Sequence, residues 1–320
     1  MTPDRAAPPR ARYAPSPSGA LHLGNLRTAL VAWLHCRLQG GVFIVRIDDL
    51  DTPRVRPGAE AAILADLRWL GLDWDEGPDV GGPAGPYRQS ERLELYGQAL
   101  EQLRRAGELF PCRCSRSMLA AISAPHGPAP IYPGSCRKSS DWQPRDGRIP
   151  SWRWRVPASR LDIVDGVLGP QQWNLPIQIG DVVLRRADGF IAYHLATAVD
   201  EVTMAITQVL RGADLLPSTP VQLALIRRLG GPGPRYWHVP LMRNAAGSRL
   251  AKRDGSAGLG AWRAAGFSAA EVVGRLLASL ALTATGQAIS AADALDSISL
   301  SALDRALFAA GSGSGTPPQP

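Results

Sequence analysis

Three short runs in this chain carry residue types that could do chemistry. The first is Arg12-Tyr13-Ala14-Pro15-Ser16-Pro17-Ser18-Gly19, followed by Leu21-His22-Leu23-Gly24-Asn25. It sets a basic residue, an imidazole and two glycines just ahead of a helical pattern. Backbone N–H groups at a helix start and a protonatable imidazole stabilise negative charge, and a glycine lets a flat base or ribose lie close to the main chain. Such a run can bind phosphates. The second is Gly247-Ser248-Arg249-Leu250-Ala251-Lys252-Arg253-Asp254-Gly255, a polar loop between glycines that taken alone reads as a mobile surface segment. The third is Cys112-x-Cys114 with Cys136, three of the four cysteines within 25 residues. In a reducing compartment this clustering argues for a metal rather than a disulfide. Three thiolates suit tetrahedral Zn²⁺ but require a fourth ligand, and ligand statistics and spacing point to His126. Three buried thiols without a metal are the alternative, and Cys36, inside an apolar helical pattern, reads as a core thiol.

These runs need a scaffold. Apolar residues at Leu26, Leu30, Val31, Leu34 and Leu38 predict a helix over 26–38 with Asn25 as N-cap, ended by Gly40 and Gly41. VFIVRI at 42–47 reads as a buried strand. Strand, glycine-containing loop, helix and strand in this order form a parallel α/β unit, whose ligands bind at the carboxyl ends of the strands. Helical patterns return at 59–70, 90–105 and 219–229, and YWHVPLM at 236–242 reads as a strand. Between 110 and 178 the texture changes to Cys, Trp, Pro and Arg with short β-like pieces, which suggests an insertion beside the core. Residues 265–309 are mostly helical, with an apolar stripe of Val272, Val273, Leu276, Leu277 and Leu280. The expected organisation is a tail at 1–11, an α/β core at 12–109 and 179–240, an inserted subdomain at 110–178, a loop and helical region at 241–310, and a tail at 311–320, both tails disordered.

Composition sets outer limits. The chain has 320 residues, 45% hydrophobic, enough to bury a core and too many for wholesale disorder. No stretch approaches the roughly 18 uninterrupted apolar residues of a membrane span, and the N-terminal residues lack a secretory apolar region; the expectation is a soluble cytoplasmic protein. A surplus of 35 basic over 28 acidic side chains, net +7, suggests an acidic partner such as nucleic acid. Only two of the basic residues, Lys138 and Lys252, are lysines.

Taken in order, the motifs resemble the catalytic core of class I glutamyl-tRNA synthetases, from Arg12 to about Ser256. His22-Leu23-Gly24-Asn25 is similar to the HIGH signature and Arg249-Leu250-Ala251-Lys252-Arg253 to the KMSKS signature. Further matches are RIDDLD at 46–51, Gly71-Leu72-Asp73-Trp74, Tyr87-Arg88-Gln89-Ser90 and Arg211-Gly212-Ala213-Asp214-Leu215. The resemblance implies a Rossmann-like core that activates L-glutamate with ATP, usually with Mg²⁺, and hands it to a tRNA. By that resemblance His22, Gly24, Asn25 and Lys252 serve catalysis, with His22, Gly24 and Lys252 on ATP. Arg12, Tyr13, Ala14, Pro15, Ser16, Asp48, Tyr193 and Arg211 would surround glutamate: guanidinium forks suit carboxylates, an acid suits the ammonium, and a phenol gives one directional hydrogen bond. The resemblance also replaces His126 by Tyr132, giving one structural zinc held by Cys112, Cys114, Tyr132 and Cys136. Two positions depart from the pattern: Asp48 stands where Glu is expected, and Ala251 where Ser is usual.

After Lys252 only 68 residues follow, fewer than the helical anticodon-binding region of a full glutamyl-tRNA synthetase needs. The expectation is therefore the branch of the family that glutamylates queuosine in the anticodon of tRNA(Asp), acting as a monomer. The alternatives are a short synthetase that charges a tRNA 3′ end and a non-catalytic, zinc-stabilised RNA-binding relative.

Overall fold

The computed structural model describes residues 7–115, 118, 131–145, 149–242 and 258–311. Strands β1 (Arg10–Tyr13), β2 (Val42–Val45), β8 (Gln208–Gly212) and β9 (Arg235–Val239) form a parallel sheet in the order β2-β1-β8-β9. From β1 the chain passes through α1 (Leu23–Arg37) to β2 on one side. From β8 it passes through α6 (Thr219–Arg228) to β9 on the other. The direction of winding thus switches between β1 and β8, and it is beyond the carboxyl ends of strands at such a switch that α/β sheets bind ligands.

β1 begins two residues inside the segment expected to be tail. The Arg10 N–H donates to Thr207 Oγ1 at 2.9 Å and Arg10 is in register with Val42, so the sheet itself orders this end. α1 also begins earlier than its apolar pattern: His22, not Asn25, is the N-cap, and Asn25 closes a capping box with it. The pattern missed the first turn because that turn is capped by polar atoms rather than packed by apolar ones.

α1 is buried almost all round, with Leu26, Ala29 to Leu34 and Cys36 at most 4% exposed. One side packs on β1 and β2. The other packs on Val272, Val273, Leu276 and Leu277 of α8 (Ala269–Ala278) and Leu303 and Leu307 of α10 (Leu300–Gly311). A helix without a polar face belongs between two layers, and the stripe expected at 272–280 supplies the second. Burial pushes the Cys36 thiol up to about 11, as fits a core position.

The second core cluster joins α3 (Leu93–Arg105), α5 (Tyr193–Thr203) and α6 to the far face of the sheet. The inserted region holds an antiparallel sheet of β3 (Leu109–Cys112), β4 (Ser151–Trp154) and β7 (Val182–Arg185), and a hairpin of β5 (Arg160–Asp165) with β6 (Gly169–Asn174). β7 lies beyond the boundary expected at 178. The hairpin reaches the parallel sheet, where the Gly166 N–H donates to the Tyr236 carbonyl at 2.8 Å.

Candidate active site

The first turn of α1 is built from the HIGH-like residues. His22 Nδ1 accepts the Asn25 N–H at 3.2 Å, Asn25 Oδ1 accepts the His22 N–H at 3.4 Å, and the Tyr13 hydroxyl donates to the Asn25 carbonyl at 3.4 Å. An imidazole whose Nδ1 accepts carries its proton on Nε2 when neutral, so the ring presents a donor on its other edge. A Cβ on Gly24 would stand 3.1 Å from both Cε1 and Nδ1 of His22, so this glycine leaves the ring its place. Residues 249–253, with Lys252 and Ala251, lie outside the described residues, as does His126.

The residues expected around glutamate gather at the carboxyl ends of the parallel strands. Arg12, at 4% exposure, donates from Nε to Glu201 Oε1 at 2.8 Å. Pro15 is buried and its carbonyl accepts the Asp48 N–H at 3.0 Å; Ala14 is half-buried and Ser16 exposed. Asp48 accepts Arg46 Nε at 2.7 Å on one oxygen and a second Arg46 N–H at 3.3 Å on the other. Burial pushes the Asp48 carboxyl up to about 6 against the pull of Arg46, with Asp200 also raising it and Arg12 lowering it. Tyr193 opens α5 and is 39% exposed. Arg211, at the end of β8, is buried; that burial, eased by the Tyr193 and Tyr236 phenols, lowers its tendency to hold a proton.

Behind this first layer lies a polar core that the sequence reading did not single out. Asp200, fully buried, accepts Gln89 Nε2 at 2.8 Å, Arg92 Nε at 2.7 Å and the Tyr96 hydroxyl at 3.0 Å, and lies 3.4 Å from Arg46. Arg46 therefore sits among Asp48, Asp200 and Glu201. The signal was Asp200-Glu201 inside an otherwise apolar helix: two acids on a buried surface must have partners. Asp165, His238, Thr219 and Gln222 were likewise missed.

The three cysteines converge in the inserted region. Their sulfurs all lie within 4.8 Å of one another, and Cys114 is 3.7 Å from Cys136. Four ligands around zinc at about 2.3 Å would be spaced about 3.8 Å apart, so the donor set fits that ion. The Tyr132 hydroxyl lies 3.5 Å from Cys112 Sγ and 4.0 Å from Cys114 Sγ and accepts the Cys136 N–H at 2.7 Å. Arg153 Nε donates to Cys112 Sγ at 3.2 Å, and its guanidinium covers the Tyr132 ring at 3.9 Å. The Cys112 thiol is held below its ordinary range: burial opposes this, but its hydrogen bonds with Tyr132, the Cys114 backbone and Arg153 prevail.

Residues 9–288 match the family described as class I tRNA synthetases (E and Q), catalytic domain. The chain is 55% identical over 273 residues to the glutamyl-Q tRNA(Asp) synthetase of Symbiobacterium thermophilum, covering 83% of this chain and 84% of that protein. It is 50% identical over 279 residues to the enzyme of the same name from Deinococcus radiodurans, covering 85% and 88%. Among solved structures, a glutamate tRNA ligase from Elizabethkingia meningosepticum in complex with its amino acid superimposes with a TM-score of 0.78 at 30% identity. That match takes in 92% of this chain, which spans 65% of the ligase.

Proposed function

This chain belongs to the E and Q family of class I tRNA synthetases, and from that membership we propose that it activates L-glutamate with ATP and transfers it to queuosine in the anticodon of tRNA(Asp). The observation that carries the reading is the gathering of Arg12, Asp48 and Arg211 at the carboxyl ends of β1, β2 and β8, beside a helix start capped by His22. In the first step the α-carboxylate of glutamate attacks the α-phosphorus of ATP and pyrophosphate leaves with the P–O bond electrons. In the second, a nucleophilic oxygen of queuosine attacks the activated carbonyl and AMP leaves. No protein nucleophile is needed; positioning and charge stabilisation suffice.

Each side chain then has a task. Arg12 and Arg211 face the carboxylates of glutamate, Asp48 its ammonium, and the Tyr193 hydroxyl one of its oxygens. The His22 Nε2–H donates to the phosphates while the α1 N-terminus adds its positive end. Gly24 lets the adenosine lie against the main chain, and Lys252 carries a compact cation to the leaving pyrophosphate. Mg²⁺ bound with ATP would supply further neutralisation of the phosphates. Cys112, Cys114, Tyr132 and Cys136 would hold one zinc ion with no open position, which keeps the inserted sheet in shape. Among the described residues no helix is long and apolar enough to cross a membrane. We take the enzyme to act in the cytoplasm as a monomer.

Incubation with labelled glutamate, ATP and either queuosine-bearing tRNA(Asp) or unmodified tRNA(Glu) tests the assignment. Label on the first alone is expected, and label on the second alone would overturn it.

A further inference from the structure

Arg211 is a buried cation held by neutral acceptors. Its Nε donates to His238 Nε2 at 3.2 Å, one terminal nitrogen to Gln222 Oε1 at 2.7 Å and the other to Thr219 Oγ1 at 2.9 Å. Among the described residues no carboxylate forms an ion pair with it, whereas Arg12, Arg46 and Arg92 each have one. One bound carboxylate stands behind the His238 ring. His238 Nδ1 lies 2.6 Å from Asp165 Oδ2, and Asp165 Oδ1 accepts the backbone N–H groups of Val167 and Leu168, both at 2.9 Å, and of His238 at 3.2 Å. Asp165 and His238 are both almost fully buried, at 2% and 0% exposure.

These contacts fix the tautomer. A carboxylate receiving three backbone donors stays ionised and accepts from Nδ1, so the His238 proton sits on Nδ1 and Nε2 offers a lone pair. The Arg211 Nε–H meets that lone pair, and the Thr219 hydroxyl, which itself accepts from Arg211, lies 3.0 Å from the same Nε2. Three of the five guanidinium N–H groups are thereby held and two remain, and no carboxylate among the described residues touches them. A carboxylate placed directly on Arg211 would orient it equally well, but would neutralise it and compete with an anionic ligand.

We infer that Asp165 and His238 form a positioning pair, which fixes Arg211 through a neutral imidazole and so keeps its charge for a carboxylate of glutamate. This rests on the reading of Arg211 as a glutamate ligand. It also gives the β5–β6 hairpin a part in the amino-acid site, since Asp165 ends β5 while His238 lies on β9.

The test is Asp165→Asn. The amide oxygen can keep the three backbone donors, but its NH₂ then faces Nδ1, drives the proton to Nε2 and sets a donor against the Arg211 Nε–H. In glutamate-dependent ATP–pyrophosphate exchange with tRNA(Asp) present, the KM for glutamate is expected to rise about tenfold, about 1.4 kcal/mol, with the KM for ATP within about twofold of wild type. Adding His238→Gln supplies a carbonyl acceptor whatever residue 165 is, and is expected to bring the glutamate KM back to within about threefold. ¹⁵N spectra of the histidines in the full-length wild-type chain read the tautomer without any variant; a proton on His238 Nε2 overturns the inference. So does an equal rise of both KM values in Asp165→Asn, or no rescue by the double variant. Arg211→Lys separates the two levels: if it leaves the glutamate KM unchanged, the reading of Arg211 itself fails and the inference falls with it.

Discussion

His22 Nδ1 accepts the backbone N–H of Asn25 at 3.2 Å, so one imidazole both caps α1 and turns its Nε2 edge away from the helix. The two duties can be separated by substitution. Asn is as good an N-cap as any residue but has no donor where Nε2 sits, while Ala lacks both functions. His22→Asn is expected to unfold within about 0.5 kcal/mol of wild type, and His22→Ala about 1 kcal/mol lower. Both are expected to lose adenylate formation by about 10²-fold, as when one transition-state donor is removed. Thermal unfolding and pyrophosphate exchange on the same samples check this. Full activity in His22→Asn would reduce the ring to a cap.

Gly24 makes the complementary case. Glycine in a helix costs roughly 0.5–1 kcal/mol relative to alanine, so Gly24→Ala ought to stabilise α1. The added methyl would instead press on the His22 ring at 3.1 Å. We expect unchanged or higher thermal stability together with about a tenfold loss of adenylate formation. Loss of stability and activity in parallel would mean that the methyl disturbs the helix rather than the ring.

Asp200 is the hub of the polar core, bound to Gln89, Arg92 and Tyr96 and facing Arg46. Asp200→Asn keeps the size but leaves two buried guanidiniums short of one negative charge. Removing one partner from a buried charge cluster costs about 3–5 kcal/mol. Urea unfolding is expected to show a loss of this order, against a far smaller one for Glu101→Gln, whose pairs with Arg104 and Arg105 are at the surface.

How much of this could be read beforehand depends on where the information sits. The β1–α1–β2 unit was legible because its apolar spacing and glycine punctuation are local. Arg12, Asp48, Tyr193 and Arg211 lie far apart in sequence and were named through motif order, not through any spacing rule. Asp165 and His238 were invisible, since a hairpin tip and a strand 73 residues apart meet only after the sheet is assembled. The cysteines show both sides of this. Cys112 and Cys114 announced a site by themselves; spacing pointed to His126, which lies outside the described residues, and the family resemblance to Tyr132, whose hydroxyl lies against the sulfurs.

Zinc held by these residues would couple to the stability of the inserted sheet. Phe110, Cys112 and Tyr132 form a small cluster of their own, too few apolar groups to order the segment unaided. A strong chelator is expected to release about one zinc per chain and lower the unfolding temperature, and Cys112→Ser to prevent stoichiometric binding. Tyr132→Phe removes the acceptor of the Cys136 N–H and is expected to weaken zinc affinity about 10-fold or more while leaving the three thiolates. Metal content by atomic absorption and a competing zinc indicator give both numbers.

Two partly buried groups near the carboxyl ends of the parallel strands should oppose each other as pH changes. Burial, with the Arg211 charge adding to it, pushes His194 down to about 4. Its folded pKa is below its unfolded value, so the unfolded chain takes the proton first; the stability contribution is complete above about 6.5 and is lost as pH falls through that window. Asp48 is raised to about 6, so its contribution is complete below about 4 and is lost as pH rises towards 6. Each shift corresponds to about 3 kcal/mol at most, and the two slopes nearly cancel between pH 4 and 6. His194→Phe removes one of them. Relative to wild type, its unfolding free energy by urea titration is expected to gain most at pH 4 and progressively less towards pH 6.5, leaving the falling slope of Asp48 exposed. Parallel profiles for the two proteins would show that His194 does not titrate differently in the folded and unfolded chains.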